Sequence, residues 1–208
     1  STVDYYFEYQ RAPRNITLSS PANNIVYNWD TTKFTTLKWT RDSADTDLKY
    51  YKIQISDQEN FGNIIDEQTF VAALTSQYTF TNTESEKWFY WRVKATDNDG
   101  NTGEYDQEWR FSFDSVTPDA PTFDQSELFF TQQSFDIEWN EPGDGIYEVT
   151  YYNVYRSLDP DFTPGPNTMI TDPGDVRNPE IQQDLERNDR YYYYVEAVDQ
   201  VGHTSDLS

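Results

Sequence analysis

The segment LKYYKIQISDQENF, which begins at Leu48, lies without a gap on VTYYNVYRSLDPDF, which begins at Val149, an offset of 101 residues. Trp39 and Trp139, in TLKWT and DIEWN, are 100 apart, and Asp97 and Gly100 align with Asp199 and Gly202 at an offset of 102. Three anchors at nearly one spacing define two copies of a unit of roughly a hundred residues, a common size for a single folded domain. Whatever this chain folds into, it does so twice.

Inside each copy the apolar period is two. Phe89, Trp91, Val93 and Ala95 alternate with Tyr90, Arg92 and Lys94, and Tyr51, Ile53 and Ile55 alternate with Tyr50, Lys52 and Gln54. In the second copy Phe135, Ile137 and Trp139 alternate with Asp136 and Glu138. Such alternation, rich in aromatic and β-branched residues, predicts strands with one buried face. DNDGN, EPGDG and TPGPN punctuate the strands as turns. No capped, helix-period stretch is present. Short strands without helices predict an all-β fold of two tandem β-sandwiches.

The charge narrows the partners. The 208 residues carry 37 acidic and 15 basic side chains, a net charge of −22. That surface repels nucleic-acid backbones and anionic membranes. A mean hydropathy of −0.90 agrees with the lack of an apolar run long enough to cross a bilayer. No signal-peptide pattern opens the chain, so a secreted form would be the mature one. Aromatic residues make up 17% of the chain, enough bulk to offset the entropy of ordering it. With no cysteine, disulfides, thiol chemistry and cysteine-ligated zinc are excluded.

At this point the residues resemble a known family. Trp139 followed by Pro142, YYNVYRS, Leu185 six residues before Tyr191, and YYYYVEAVDQVGHTS make the second copy similar to a fibronectin type III module. LSSPAN, YYKIQIS and FYWRVKATDNDGNT make the first resemble the variant common in prokaryotic surface proteins. The resemblance implies an Ig-like β-sandwich of seven strands, A to G. It also implies a tyrosine corner, in which a tyrosine hydroxyl bonds backbone a few residues upstream. Only the second copy can make that bond, because Phe89 stands where the second copy has Tyr191.

Read against seven strands, the chain is expected to divide as follows. Residues 11–115 form module 1, complete with strand G in EWRFSFD; residues 116–208 form module 2, which lacks its own strand G. Residues 1–10 form an extra N-terminal strand resembling a strand G for a neighbouring module. There Tyr5, Phe7 and Tyr9 reproduce the spacing of Trp109, Phe111 and Phe113 at an offset of 104. Three arrangements fit: a slice of a longer repeat array, donation of residues 1–10 to the next subunit, or their return to module 2 of the same chain. Donation from copy to copy is heterologous and builds an open filament.

Chemistry is sparse. His203, the only histidine, falls in the F–G turn with no nucleophile pattern around it, and is expected to be a solvated turn residue. We therefore expect no enzyme. The B–C and F–G loops share one pole of the sandwich. They carry Asp42, Asp45, Asp47, Asp97, Asp99 and Asn101 in module 1, and Glu141, Asp144 and Asp199 in module 2, facing the linker with Asp114 and Asp119. Clustered oxygen donors suit structural calcium, while DNDG is equally plain turn chemistry. Asn15, in Asn15-Ile16-Thr17, is a glycosylation acceptor if the protein is secreted, and a chance match otherwise. Tyr151, Tyr155, Tyr192 and Tyr194 are expected to face outward together. Such a patch can stack on a glycan, pack on a neighbouring chain, or simply pair across strands.

The expected function is structural and extracellular: a subunit of a surface filament, surface-layer array or adhesin stalk, self-associating head to tail or continuing into adjoining modules. The alternative is an accessory or spacer region of a secreted carbohydrate-active enzyme.

Overall fold

The computed structural model describes residues 11–14, 16–72, 76–81, 84–124, 135–143, 145–171, 180–182, 185–186 and 189–208. The chain divides into two compact units, Ser1–Phe113 and Asp114–Ser208. The strands of the first unit are β1 (Thr17–Ser20), β2 (Ile25–Asn28), β3 (Phe34–Thr40), β4 (Leu48–Ser56), β5 (Ile64–Val71), β6 (Gln77–Thr81), β7 (Lys87–Asp97) and β8 (Glu108–Asp114). The second contains β9 (Phe135–Ile137), β10 (Val149–Ser157), β11 (Glu180–Gln182) and β12 (Tyr192–Asp199). No helix of the described residues is long and apolar enough to cross a membrane.

The first unit is a sandwich of a three-stranded sheet, β1-β3-β6, and a five-stranded sheet, β2-β8-β7-β4-β5. With β1, β3 and β6 as A, B and E, and β5, β4, β7 and β8 as C′, C, F and G, this is the fibronectin type III strand order. The period-two pattern is the reason. Tyr51, Ile53 and Ile55 of β4 lie across from Ala95, Val93 and Trp91 of β7, and Phe111 of β8 lies across from Phe89. All eight are buried, so each strand presents one apolar face to the opposite sheet, where Leu18, Leu37, Trp39 and Phe80 meet it. Phe89 and Phe111 stack at 5.6 Å, and Phe80 meets both rings at 5.5 and 5.9 Å.

The outward face of the five-stranded sheet is polar but ordered. Lys52 and Lys94 stand directly opposite, a repulsive register. Glu67 offsets it at 2.8 Å from Lys52, and the ring of Tyr105 lies under Lys94. The Arg92 guanidinium sits between the rings of Phe61 and Tyr105, 3.8 and 4.2 Å from their centroids, and donates to Gln54 and Glu108.

In the second unit β10 pairs with β12 and β9 with β11, all antiparallel. Ile137, Trp139, Tyr152, Val154, Val195 and Ala197 form its core, with Trp139 edge-on to Tyr152. The tyrosine corner is present: the Glu186 N–H donates to the Tyr191 hydroxyl at 3.1 Å. In the first unit Phe89 lies fully in the core instead. Past β12 the chain turns back along it. Ser205 N–H donates to Ala197 O and Ser208 N–H to Val195 O, both at 2.9 Å.

Phe111→Ala should cost the first unit about 3–5 kcal/mol in denaturant unfolding, whereas Val71→Ala, at an exposed position, should stay within about 0.5 kcal/mol. Tyr191→Phe should cost the second unit about 0.5–1.5 kcal/mol, the worth of one hydrogen bond, by the same measurement.

Candidate metal centre

Both units build the F–G turn around an aspartate at the end of strand F. In the first, Asp97 Oδ1 accepts from the N–H groups of Asp99 (3.0 Å) and Asn101 (2.8 Å), and Oδ2 accepts from the Asn101 side-chain amide at 3.0 Å. In the second, Asp199 Oδ1 accepts from the N–H groups of Val201 (2.8 Å) and His203 (2.9 Å). Its Oδ2 lies 2.7 Å from His203 Nδ1. Gly100 and Gly202, at φ of 92° and 90°, supply the left-handed backbone that closes each turn. The aspartate organises the turn by drawing in donors that would otherwise point at water. Burial works to raise the Asp97 pKa, but the hydrogen bonds from Asn101, Asp99 and Gly100 outweigh it and hold the carboxyl below its usual range.

Of the three positions at which the two turns differ, one changes the side chain that bonds the turn aspartate: the amide of Asn101 is replaced by the imidazole of His203. A third group joins the second turn. Asp114, wholly buried, accepts the Val116 N–H through Oδ1 at 3.0 Å. One ligating atom each from Asp114, Asp199 and His203 lies within 4.8 Å of the other two. The cluster is sheltered, with the Asp199 side chain fully buried and that of His203 9% exposed. A group of this composition could hold a metal ion; Asp114, the last residue of β8, is also the residue at which the second unit begins.

This placement revises one expectation. His203 is not a solvated turn residue: the second unit folds its ring down onto Asp199. Among the described residues the first unit's acidic side chains do not come together as a group of three or more. Asp42 accepts from Ala44 N–H and from Arg14 at 3.2 Å, and the Ala44 bond foremost, then Arg14, lowers its pKa. Asp45 is buried against Arg11 and the Arg14 N–H. Asp47 and Asp99 are exposed, as are Glu141 and Asp119 in the second unit. Asp42 and Asp45 are thus each held by turn or arginine donors of their own.

The four tyrosines do lie on the β10–β12 pair, with Tyr155 opposite Tyr194 and Ser157 opposite Tyr192. They are not an open patch. Tyr155 is 5% exposed and donates to Glu196 at 2.7 Å, where the Asn153 amide also donates. Burial and that bond push the Tyr155 hydroxyl well above its ordinary pKa. Phe162 packs on Tyr194 at 5.1 Å, and residues 168–170 bond the β10 edge through Arg156 N–H to Thr168 O and Ile170 N–H to Val154 O. Tyr151, Tyr192 and Tyr194 are half-buried. Sequence alternation identified the face but not the segment after β10 that closes against it. Tyr5, Phe7, Tyr9, Asn15 and Asp144 lie outside the described residues.

The signal for His203 was present in the repeat, which aligns it two residues past Asn101 plus one hundred and places each four residues after its turn aspartate. Asp114 was expected to face these loops from the linker along with Asp119; that Asp114 is the one grouped with the turn is a matter of chain path.

No protein-family model matches the chain, and no curated protein matches it. Among solved structures it is similar to the chicken CNTN1 FN1-FN3 domains, at 15% identity and a TM-score of 0.49. That likeness covers 95% of this chain and 64% of the other, so the chain spans less than two thirds of its length.

Because the Asp97 pKa is lowered on folding, its contribution is complete above the unfolded carboxylate range and is lost as pH falls through the folded value. The melting temperature of the first unit should therefore drop as pH is taken below about 4. Asp97→Asn should flatten that drop, as read from thermal unfolding across a pH series.

Proposed function

We propose that the chain is a non-enzymatic structural component of an extracellular assembly, in which copies are joined head to tail by strand complementation. The observation that carries this reading is the difference between the two F strands. In the first unit, β8 runs along β7 from Lys87 to Arg92 and seals that edge with Phe111 and Phe113. In the second, the corresponding stretch of β12, Tyr192–Tyr194, pairs with β10 on one side. Among the described residues no strand pairs with it on the other. An edge of this kind offers unpaired backbone groups and half-buried aromatic side chains to an incoming strand.

Residues 1–10 have the composition of that strand, since Tyr5, Phe7 and Tyr9 repeat the spacing by which β8 fills the first unit's core. Donated to the second unit of the next copy, they would supply a partner on that side and leave each copy's own edge for the copy after it. The chain then works as a mechanical link. Its antiparallel ladders and aromatic cores resist extension, and its acidic surface keeps the assembly hydrated and free of lateral aggregation. An extracellular setting agrees with this load-carrying role.

Electron microscopy and sedimentation of the purified chain should show linear assemblies that become monomers when residues 1–10 are deleted. Assemblies that survive the deletion would sink the proposal. A chain that stays monomeric at every concentration with residues 1–10 intact would favour adjoining modules of a longer array as the strand's source.

A further inference from the structure

We infer that Asp114, Asp199 and His203 form a binding site for one zinc-class divalent transition-metal ion, independent of the strand exchange proposed above. The repeat supplies an internal comparison. Asp97 and Asn101 make the first unit's turn with the same backbone bonds that Asp199 and His203 make in the second, so the turn itself does not require an imidazole. What the imidazole adds is a nitrogen donor, set among two carboxylates in a sheltered place.

The donor set selects the ion. Calcium takes six to eight oxygen ligands, and magnesium favours an octahedron of oxygens with retained water. Three donors that include an imidazole suit a smaller, borderline-soft ion instead. Zinc holds carboxylate oxygen and imidazole nitrogen at about 2.0–2.2 Å, which in a tetrahedron puts ligand atoms roughly 3.4 Å apart. The hydrogen-bonded Asp199 Oδ2 and His203 Nδ1, now 2.7 Å apart, open to that spacing, while wider pairs, all within 4.8 Å, close to it, shifts that side-chain torsions can supply. Water takes the remaining position.

The surroundings favour a cation as well. The second unit holds 20 Asp and Glu against 4 Lys and Arg, so the local field draws positive ions toward it. Binding to the folded form alone stabilises it by mass action.

The test is titration of the full-length chain with zinc chloride. Since the chain has one histidine, its imidazole NMR signals report the site without ambiguity. Those signals should shift and saturate at one equivalent of zinc, the second unit's melting temperature should rise, and calcium chloride at the same concentration should do neither. His203→Asn, which copies the first unit's working turn, should fold with an unchanged metal-free melting temperature and bind zinc at least about 10-fold more weakly. Asp114→Asn should weaken zinc binding likewise. Imidazole signals unmoved by excess zinc would overturn the inference, a measurement that needs no variant to fold. So would a His203→Asn chain that binds zinc as tightly as the parent, which would assign the binding to surface carboxylates. Calcium acting as strongly as zinc would also overturn it, by showing an oxygen site.

Discussion

Everything else in the first unit depends on aromatic packing between its two sheets. Trp39, Trp91, Phe89, Phe111 and Phe113 are almost wholly removed from water, and their rings meet Phe80, Tyr51 and Tyr27 at stacking or edge-on distances. Burying such a side chain contributes about 1.5–3 kcal/mol over leaving it exposed. A chain of −22 net charge must gather this much apolar contact to hold together against its own repulsion. With no cysteine in the chain and no helix among the described residues, the sandwich interior is where it can do so.

Polar order is built on top of that core and follows a consistent rule: charged side chains are claimed locally before they can act at a distance. Lys52 takes Glu67, Arg92 takes Glu108, and Asp45 takes Arg11 and a backbone N–H. The F–G turns spend their aspartates on backbone donors. An abundance of carboxylates therefore does not translate into an abundance of metal sites. The Asp114, Asp199 and His203 group stands out because its three side chains converge and because one of them is an imidazole.

How much of this was legible in the sequence depends on the range of the interaction. The inward alternation of Tyr51, Ile53, Ile55, Phe89, Trp91 and Val93 is a property of neighbouring residues on one strand, and all six are buried as read. The Phe89 and Tyr191 contrast was equally plain, and the tyrosine corner forms only where the hydroxyl exists. Tyr155 was misread as exposed. Alternation says which way a side chain leaves its strand, but it does not say that Glu196 and Asn153 will meet it there. His203 was misread for the same reason, since a turn position is exposed only if nothing folds against it.

By itself, then, the sequence determined a twofold repeat, strands of period two, the strand that fills each core position, and a surface hostile to polyanions. These follow from local geometry, because side-chain direction along a strand and the left-handed turns at Gly100 and Gly202 are set within a few residues. The tertiary structure decided which carboxylates stay with turn and arginine donors and which converge. It also closed the tyrosine face and brought Asp114 within reach of Asp199 and His203, residues more than eighty positions along the chain. Such contacts depend on the path of the backbone through three dimensions, and no periodicity in the sequence encodes that path.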